Sequence, residues 1–265
     1  MIQRTTVIIA LIIFITVFII GNLFWKNRHE EIIQPETTGA EMTAEKTSAE
    51  KQIEGKPAGI KERIKQLPDE LEEPFTAAHK AGETLSVAFI GSGALGKDAG
   101  GWSMMAAEEI EKAYGGDFLD IDIFEFNGTS MDFVNGEVLP EIAAEAFDVV
   151  LLEGFTLEDN GGMIGIQNSL ENVNIIIQRL KEQNPELVVV LQPPHPIHGA
   201  VNYPDQVEQL KQFAATHNIP YLDHWEAWPD YTSEELLDYL TDDAMPNSRG
   251  HELWAGAVAE YFAAR

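Results

Sequence analysis

The residues best suited to chemistry lie in a glycine-rich loop. The segment GSGALG (91–96) directly follows the apolar run LSVAFI at 85–90. The hydroxyl of Ser92 could act as a nucleophile in acyl transfer if a base, a group that orients this base and oxyanion donors lie nearby. The same loop also satisfies the Gly-x-Gly-x-x-Gly fingerprint of dinucleotide-binding proteins, whose backbone N–H groups approach a pyrophosphate. Two chemistries therefore compete for this loop.

The dinucleotide-binding hypothesis, which would use Gly91, Gly93 and Gly96, is the weaker one. The fingerprint requires a helix to open at its last glycine, but the segment KDAGG (97–101) precedes the next helical stretch. The nearest acidic residue that closes a second strand is Glu125. It lies well beyond the spacing of about 20 residues that ribose recognition requires.

Four histidines are candidate bases for Ser92. His195 and His198 follow a predicted strand, His224 follows the next one, and His251 lies at the start of the last helix. Only a base within hydrogen-bond reach of the serine can take its proton, so the geometry decides among them. No His, Asp or Glu residues have the spacing of a metal motif such as H-E-x-x-H, and we expect neither a metal nor a cofactor.

Aromatic residues follow His224. Trp225, Trp228 and Tyr231 could form a wall for a sugar ring, but packing of this loop onto the core is the favoured interpretation.

Strand-like and helix-like stretches alternate from about residue 85 onward. Continuous β-branched runs indicate strands that are buried on both faces, as in parallel sheets covered by helices. The alternation predicts a three-layer α/β/α, flavodoxin-like domain with a parallel sheet of five strands. Ligands of such sheets bind at the carboxyl ends of the strands. The predicted strands are LSVAFI (85–90), DIDIFEF (120–126), FDVVLLEGF (147–155), LVVVLQPP (187–194) and IPYLDH (219–224).

The order of these loops resembles the SGNH/GDSL hydrolase superfamily over about residues 85–265. The family has a Gly-Asp-Ser block, a glycine after the second strand, a Gly-x-Asn-Asp block, a Pro-Pro run and a final Asp-x-x-His-Pro-Asn block followed by Gly-His. The corresponding segments here are FIGSG with a later Gly-Trp, FNGTS, GFTLEDNG, QPP and DDAMPN with a later Gly-His. The resemblance implies an SGNH fold that needs no cofactor.

The departures from the family pattern fall on the reacting groups. The family's nucleophile position corresponds to Gly93, with Ser92 one residue earlier, and its histidine position corresponds to Met245. Methionine can neither accept nor orient a proton. The candidate catalytic residues are therefore Ser92 with Asp242 and a replacement base, of which we expect His195 or His198 to lie nearest and His251 to be marginal. The candidate oxyanion and substrate-binding residues are Gly128 and Asn160.

Two functions are compatible with this resemblance. One is an ester hydrolase or acyl-transfer protein, of the serine carboxylic-ester type, that acts on an acylated glycan or lipid of the cell envelope. The alternative is a catalytically degenerate SGNH-fold module that binds such a ligand. With 17 basic against 44 acidic residues and a net charge of −27, the chain repels nucleic acid.

The amino-terminal region differs in composition from the rest. Residues 7–25 are almost entirely apolar and long enough to span a membrane, which predicts a membrane anchor over 1–28; a cleaved signal peptide is the alternative. Residues 29–81 are predicted to be an acidic tether with a short helical lead-in, and 82–265 the SGNH-like domain. We expect a single-pass membrane protein with an extracytoplasmic domain, although positive charges flank the apolar segment on both sides.

Overall fold

A computed structural model of the chain describes residues 59–97 and 100–264. The predicted anchor and most of the predicted tether lie outside the described residues. In the described ranges, no helix is both long and apolar enough to cross a membrane. The described residues belong to one compact unit, Gly55–Arg265.

Helices and parallel strands alternate along the chain, as the hydrophobic pattern predicts. The elements are α1 (Ile60–Ile64), α2 (Asp69–Ala81), β1 (Leu85–Gly91), α3 (Trp102–Tyr114), β2 (Leu119–Glu125), α4 (Ser130–Asn135), α5 (Val138–Ala143), β3 (Val149–Glu153), α6 (Thr156–Gly161), α7 (Ile166–Leu180), β4 (Val188–Gln192), α8 (Tyr203–His217) and α9 (Ser248–Ala263). Short 3₁₀ helices cover Gly93–Leu95, His224–Ala227 and Glu234–Tyr239.

The sheet of the described residues has four parallel strands in the order β2-β1-β3-β4. The prediction of five strands is therefore wrong in number. The segment predicted as the fifth strand runs beside β4, where the Leu191 N–H donates to Pro220 and the Leu222 N–H donates to Leu191. Only Tyr221 forms a bridge, because Pro220 has no N–H to donate and the chain turns into a 3₁₀ helix at His224.

Helices cover both faces of the sheet, and each face carries its own hydrophobic cluster. Along β1, Val87 and Phe89 pack into one cluster with α2, α3 and α9, whereas Ala88 and Ile90 pack into the other with α4, α5, α7 and α8. All of these strand residues are buried. This alternation explains the absence of an exposed polar face in β1 and produces the predicted three layers, whereas β2, at the edge of the sheet, exposes Asp120 and Asp122.

The lead-in helices pack onto the domain. Leu71 and Phe75 of α2 are fully buried in the cluster that also contains Leu85 and Trp102. Pro68 lies just before α2, where its fixed φ separates the two lead-in helices. Residues from Ile60 onward therefore contribute to the core of the α/β domain.

Candidate functional site

Ser92 lies at the carboxyl end of β1, where parallel sheets of this kind bind ligands. It caps the 3₁₀ helix Gly93–Leu95, and its Oγ accepts a hydrogen bond of 3.2 Å from the Ala94 N–H. The residue is only 2% exposed. No hydrogen bond of the described residues joins Ser92 to a histidine. Its hydroxyl is therefore a capping group directed into the protein.

Glu153 faces Ser92 from the carboxyl end of β3. It is fully buried, and burial raises the pKa of its carboxyl group to about 7. The side chain and backbone N–H of Ser92 oppose this rise by favouring the ionised form, although neither carboxylate oxygen has a partner with full hydrogen-bond geometry. A Cβ added at Gly91 would lie 2.3 Å from Leu95 Cδ1, 2.7 Å from Glu153 Cβ and 2.9 Å from Glu153 Oε2, so the glycine makes room for both side chains. Sequence reasoning missed Glu153; its signal was an acidic residue that ends an apolar strand.

Tyr203 closes this buried region from the start of α8. Its hydroxyl donates to the backbone carbonyl of His195 over 3.0 Å. Burial and the neighbouring Glu153 carboxylate raise the pKa of Tyr203 well above its usual value, so the phenol stays protonated.

The loops that follow β1 and β2 meet beside Ser92. A Cβ added at Gly93 would lie 2.5 Å from the Asn127 Oδ1 atom and 3.9 Å from Glu125 Oε1. Glu125 Oε2 in turn accepts the Lys97 N–H at 2.9 Å. Gly128, the candidate oxyanion glycine, is the next residue after Asn127. The two loops therefore converge as the sequence predicts, but Asn127 was not among the predicted site residues, and its sequence signal suggested only an Asn-Gly turn.

His195 lies under the loop that carries Met245. Its Nε2 is 2.9 Å from the Ala244 carbonyl oxygen, which can only accept, so Nε2 is the protonated nitrogen. Nδ1 is buried and has no partner among the described residues. Burial, opposed by the hydrogen bond to Ala244 and assisted by the nearby His251, lowers the pKa of His195 to about 4. The ring is therefore neutral at physiological pH, and its hydrogen bond to Ala244 stabilises the loop that carries Met245.

His224 has both ring nitrogens engaged. Nδ1 accepts from Trp228 Nε1 over 3.1 Å, and Nε2 donates to the Pro193 carbonyl over 2.8 Å. The ring stacks on Trp254 with centroids 4.2 Å apart, and burial lowers its pKa to about 3. These contacts leave no free nitrogen to act as a base.

His251 and His198 complete the set of candidate bases. The Trp102 N–H donates to His251 Nδ1 over 3.2 Å, so the proton of the neutral ring is on Nε2, and burial lowers its pKa. His251 thus caps the start of α3. His198 is half-buried and makes no hydrogen bond to another described residue.

The loop at 241–247 is held by ordered contacts, although Met245 stands where the family has its histidine. Met245 is 36% exposed, and its backbone carbonyl accepts the Thr241 N–H, while Leu240 and Pro246 form a bridge. Asn247 caps α9 by accepting the N–H groups of Arg249 and Gly250. Asp242, the predicted orienting residue, is exposed and forms no ion pair or hydrogen bond among the described residues.

The loop after β3 is a short helix, where the Asp-Asn-Gly-Gly sequence indicated a turn. Asn160 lies in α6, is exposed, and donates to Gln206 Oε1 over 2.7 Å. The buried neighbour Asp159 instead accepts both the N–H (2.8 Å) and the Oγ–H (2.7 Å) of Ser130. Asp159 thereby connects the loops after β2 and β3, a role that the sequence analysis did not assign.

Packing accounts for the three aromatic residues after His224. Trp228 is buried, and Trp225 donates through Nε1 to the Pro194 carbonyl. Tyr231 is half-buried with its ring 6.3 Å from that of Trp225.

The structure does not provide the geometry of the dinucleotide fingerprint. A single 3₁₀ turn follows Ser92, and the helix starts only at Trp102. Within the described ranges, no group of three or more His, Asp or Glu residues is arranged to hold a metal ion.

One cleft lies away from this edge of the sheet, between α1 and α2. Its volume is about 400 Å³, and its lining includes Lys61, Lys65, Thr76 and His79. We place the candidate site at the loop edge because the chemistry-bearing residues and the converging loops are there.

The fold is similar to that of solved esterases and lipases. The acetyl xylan esterase AlAXEase is 17% identical with a TM-score of 0.54, and the alignment covers 65% of this chain and 97% of that chain. A carbohydrate esterase of family 3 from Talaromyces cellulolyticus is 16% identical with a TM-score of 0.52, covering 66% and 95%. A GDSL-like lipase from Bacteroides thetaiotaomicron is 13% identical with a TM-score of 0.52, covering 70% and 94%. The chain has the SGNH/GDSL hydrolase fold. No family model and no curated protein matches its sequence.

The structure brings only some of the candidate residues near one another. Ser92 and Gly128 lie on loops that touch each other, and His195 touches the loop of Met245. Asn160 is hydrogen-bonded to Gln206 of α8, and His251 accepts the N–H of Trp102 at the start of α3. The catalytic roles of Ser92, Asp242, His195, His198 and His251 and the binding roles of Gly128 and Asn160 stay predictions.

Proposed function

We propose that this chain is an SGNH-fold protein that binds an ester-bearing ligand without hydrolysing it through a serine–histidine pair. The observation that carries this proposal is the environment of Ser92. The residue is 2% exposed, and its hydroxyl caps a 3₁₀ helix and faces a buried carboxyl group. A nucleophile must reach the carbonyl carbon of its substrate, and its base must lie within hydrogen-bond distance. The serine is not open to a substrate, and no described hydrogen bond joins it to a histidine.

The contacts of three candidate histidines support the same conclusion, and no described hydrogen bond joins the fourth, His198, to Ser92. His224 uses both nitrogens, and His251 carries its proton on the nitrogen that would have to accept one. His195 has a free Nδ1, but burial lowers its pKa to about 4. A base with such a low pKa is weak at neutral pH. Met245, at the family's histidine position, cannot take a proton.

We infer that the ligand is an acylated glycan or lipid of the cell envelope. Two proteins of similar fold are named as an acetyl xylan esterase and a carbohydrate esterase, and a third as a lipase. The apolar segment 7–25 and the following acidic stretch would anchor and tether the domain outside the membrane. An anchored binding module would keep its domain within a few tens of Å of the membrane surface.

A second candidate is ester hydrolysis by Ser92 with Glu153 as the base. One observation favours it: the carboxyl group that faces Ser92 has a pKa raised to about 7, which suits a general base near neutral pH. This route needs a movement of the 91–96 loop that exposes the serine. It would leave Gly93 and Met245 without any part in the chemistry.

An assay of binding and turnover on one sample separates the two candidates. The purified domain is titrated with an acetylated xylo-oligosaccharide by calorimetry, and acetate release is followed in the same mixture. Binding without acetate release supports the proposed function. Acetate release that is lost in both Ser92→Ala and Glu153→Gln would establish the second candidate and overturn the first. The deacetylated oligosaccharide is the control for recognition of the ester.

A further inference from the structure

A side chain at position 93 would have to displace the end of the Asn127 side chain. Gly93 is half-buried and its φ lies outside the left-handed region, so its backbone would accept any L-residue. A Cβ there would nevertheless lie 2.5 Å from Asn127 Oδ1, a separation below 3.0 Å that real Cβ atoms essentially never show. The next nearest atoms are Asn127 Cγ at 3.7 Å and Glu125 Oε1 at 3.9 Å. One atom of one side chain is therefore the obstacle.

Asn127 has no structural task that accounts for its position. Its side chain is exposed and makes no hydrogen bond with another described residue. The neighbouring loop is held by other groups: Thr129 caps α4 in a capping box with Asp132, and Ser130 is fixed by Asp159. The Asn127 carboxamide is thus free to meet a ligand at the carboxyl edge of the sheet.

We propose that Asn127 fills the nucleophile position of this SGNH-fold site and thereby determines that the site binds an ester instead of attacking it. The inference rests on the proposed function. A carboxamide is not a nucleophile, but it can donate through Nδ2 to an ester carbonyl or accept through Oδ1 from a sugar hydroxyl. Asn127 would therefore supply a recognition group at the place where a hydrolase supplies its serine.

The steric part of the proposal is tested by a double-mutant cycle on thermal stability. Gly93→Ala should lower the Tm more in the wild-type background than in an Asn127→Gly background, because only in the former must the exposed Asn127 side chain turn away from the new methyl group. Gly116→Ala is the matched control, because a Cβ there has nothing within 4 Å. An equal loss of Tm in both backgrounds would overturn the proposal. This test needs no activity and no ligand.

The functional part is tested by restoring the missing groups with and without Asn127. Gly93→Ser/Met245→His is compared with the same variant carrying Asn127→Gly, using p-nitrophenyl acetate. The introduced hydroxyl would attack the carbonyl carbon, its proton would pass to the introduced imidazole, and p-nitrophenolate would leave; water would then release acetate. We expect at least about tenfold faster turnover in the variant with Asn127→Gly, equivalent to about 1.4 kcal/mol in the barrier.

Equal turnover in the two restored variants, or no gain over wild type in either, would overturn the proposal for Asn127. Failure of the proposed function gives a different result: wild-type protein would turn over the ester, and Ser92→Ala would abolish that turnover. The two failures are therefore distinguishable within one set of measurements.

Discussion

The imidazole of His195 is hydrogen-bonded to the backbone carbonyl of Ala244, with 2.9 Å between Nε2 and the oxygen. Ala244 has a φ of 60°, in the left-handed region that L-residues rarely adopt, and it directly precedes Met245. The buried histidine therefore holds a strained backbone at the position where the family's histidine would be presented. His195, which the sequence analysis names as a candidate base, instead stabilises the loop at 241–247 through this hydrogen bond.

Removing the His195 side chain should destabilise the loop at 241–247. His195→Ala leaves the Ala244 carbonyl without its donor and a cavity beside Trp254, so we expect a loss of about 2–4 kcal/mol in the free energy of unfolding. Amides of residues 241–247 should exchange faster with deuterium. The matched control is His198→Ala, a half-buried histidine without a hydrogen bond in the described structure, which should change stability by less than about 0.5 kcal/mol. Equal effects of the two variants would contradict this account.

The buried histidines should not titrate near neutral pH. Burial lowers the pKa of His195 to about 4 and that of His224 to about 3, both below the ordinary value of 6.5. The unfolded chain then binds more protons than the folded one below pH 6.5, so the stability they contribute is complete above that pH and is lost as the pH falls through about 4 for His195 and about 3 for His224. Nitrogen-15 spectra should show both rings neutral at pH 5. A ring that titrates between pH 6 and 8 would refute the assigned burial.

Glu153 should have the opposite effect on stability. Burial raises its folded-state pKa from 4.5 to about 7, so the folded chain binds more protons in this interval, and stability falls as the pH rises from about 4.5 to 7. Each unit of difference corresponds to about 1.4 kcal/mol. Glu153→Gln removes this titration. The free energy of unfolding of the variant, taken relative to that of wild type, should therefore be higher at pH 8 than at pH 5. Denaturant unfolding at the two pH values measures it; a constant difference would show that the carboxyl is not shifted.

Adjacent residues in α6 should respond very differently to truncation. Asp159→Ala leaves the buried N–H and hydroxyl of Ser130 without their acceptor, at a cost of about 2–3 kcal/mol. Asn160→Ala removes only an exposed contact with Gln206 and should cost less than about 0.5 kcal/mol. Chemical denaturation of both variants makes the comparison. A larger loss for Asn160→Ala would show that the roles of these neighbours are reversed.

The sequence was most informative where burial repeats along an element. Strands without a polar face predicted parallel strands under helices, and Val87, Ala88, Phe89 and Ile90 pack alternately into two clusters as such a strand requires. The number of strands could not be predicted from this burial pattern. A proline without an N–H reduced the last predicted strand to a single bridge at Tyr221.

The site was predictable as a meeting of loops but not as a set of contacts. The loop sequences placed Ser92 and Gly128 at one edge, and the structure brings these loops together. Which nitrogen of a histidine is free, and whether a serine faces solvent or a buried Glu153, depends on distances that no spacing encodes. For the same reason the sequence did not indicate Asn127, which matters only because its Oδ1 atom lies close to Gly93.

The most direct test of the central claim is the reactivity of the serine itself. The protein is incubated with a fluorophosphonate probe, which bonds to an activated serine oxygen and releases fluoride, and its intact mass is followed with time. Because the Ser92 hydroxyl is buried and has no histidine partner, we predict no adduct above that of a Ser92→Ala control. A stoichiometric adduct that maps to Ser92 would contradict the account and establish the chain as a serine hydrolase.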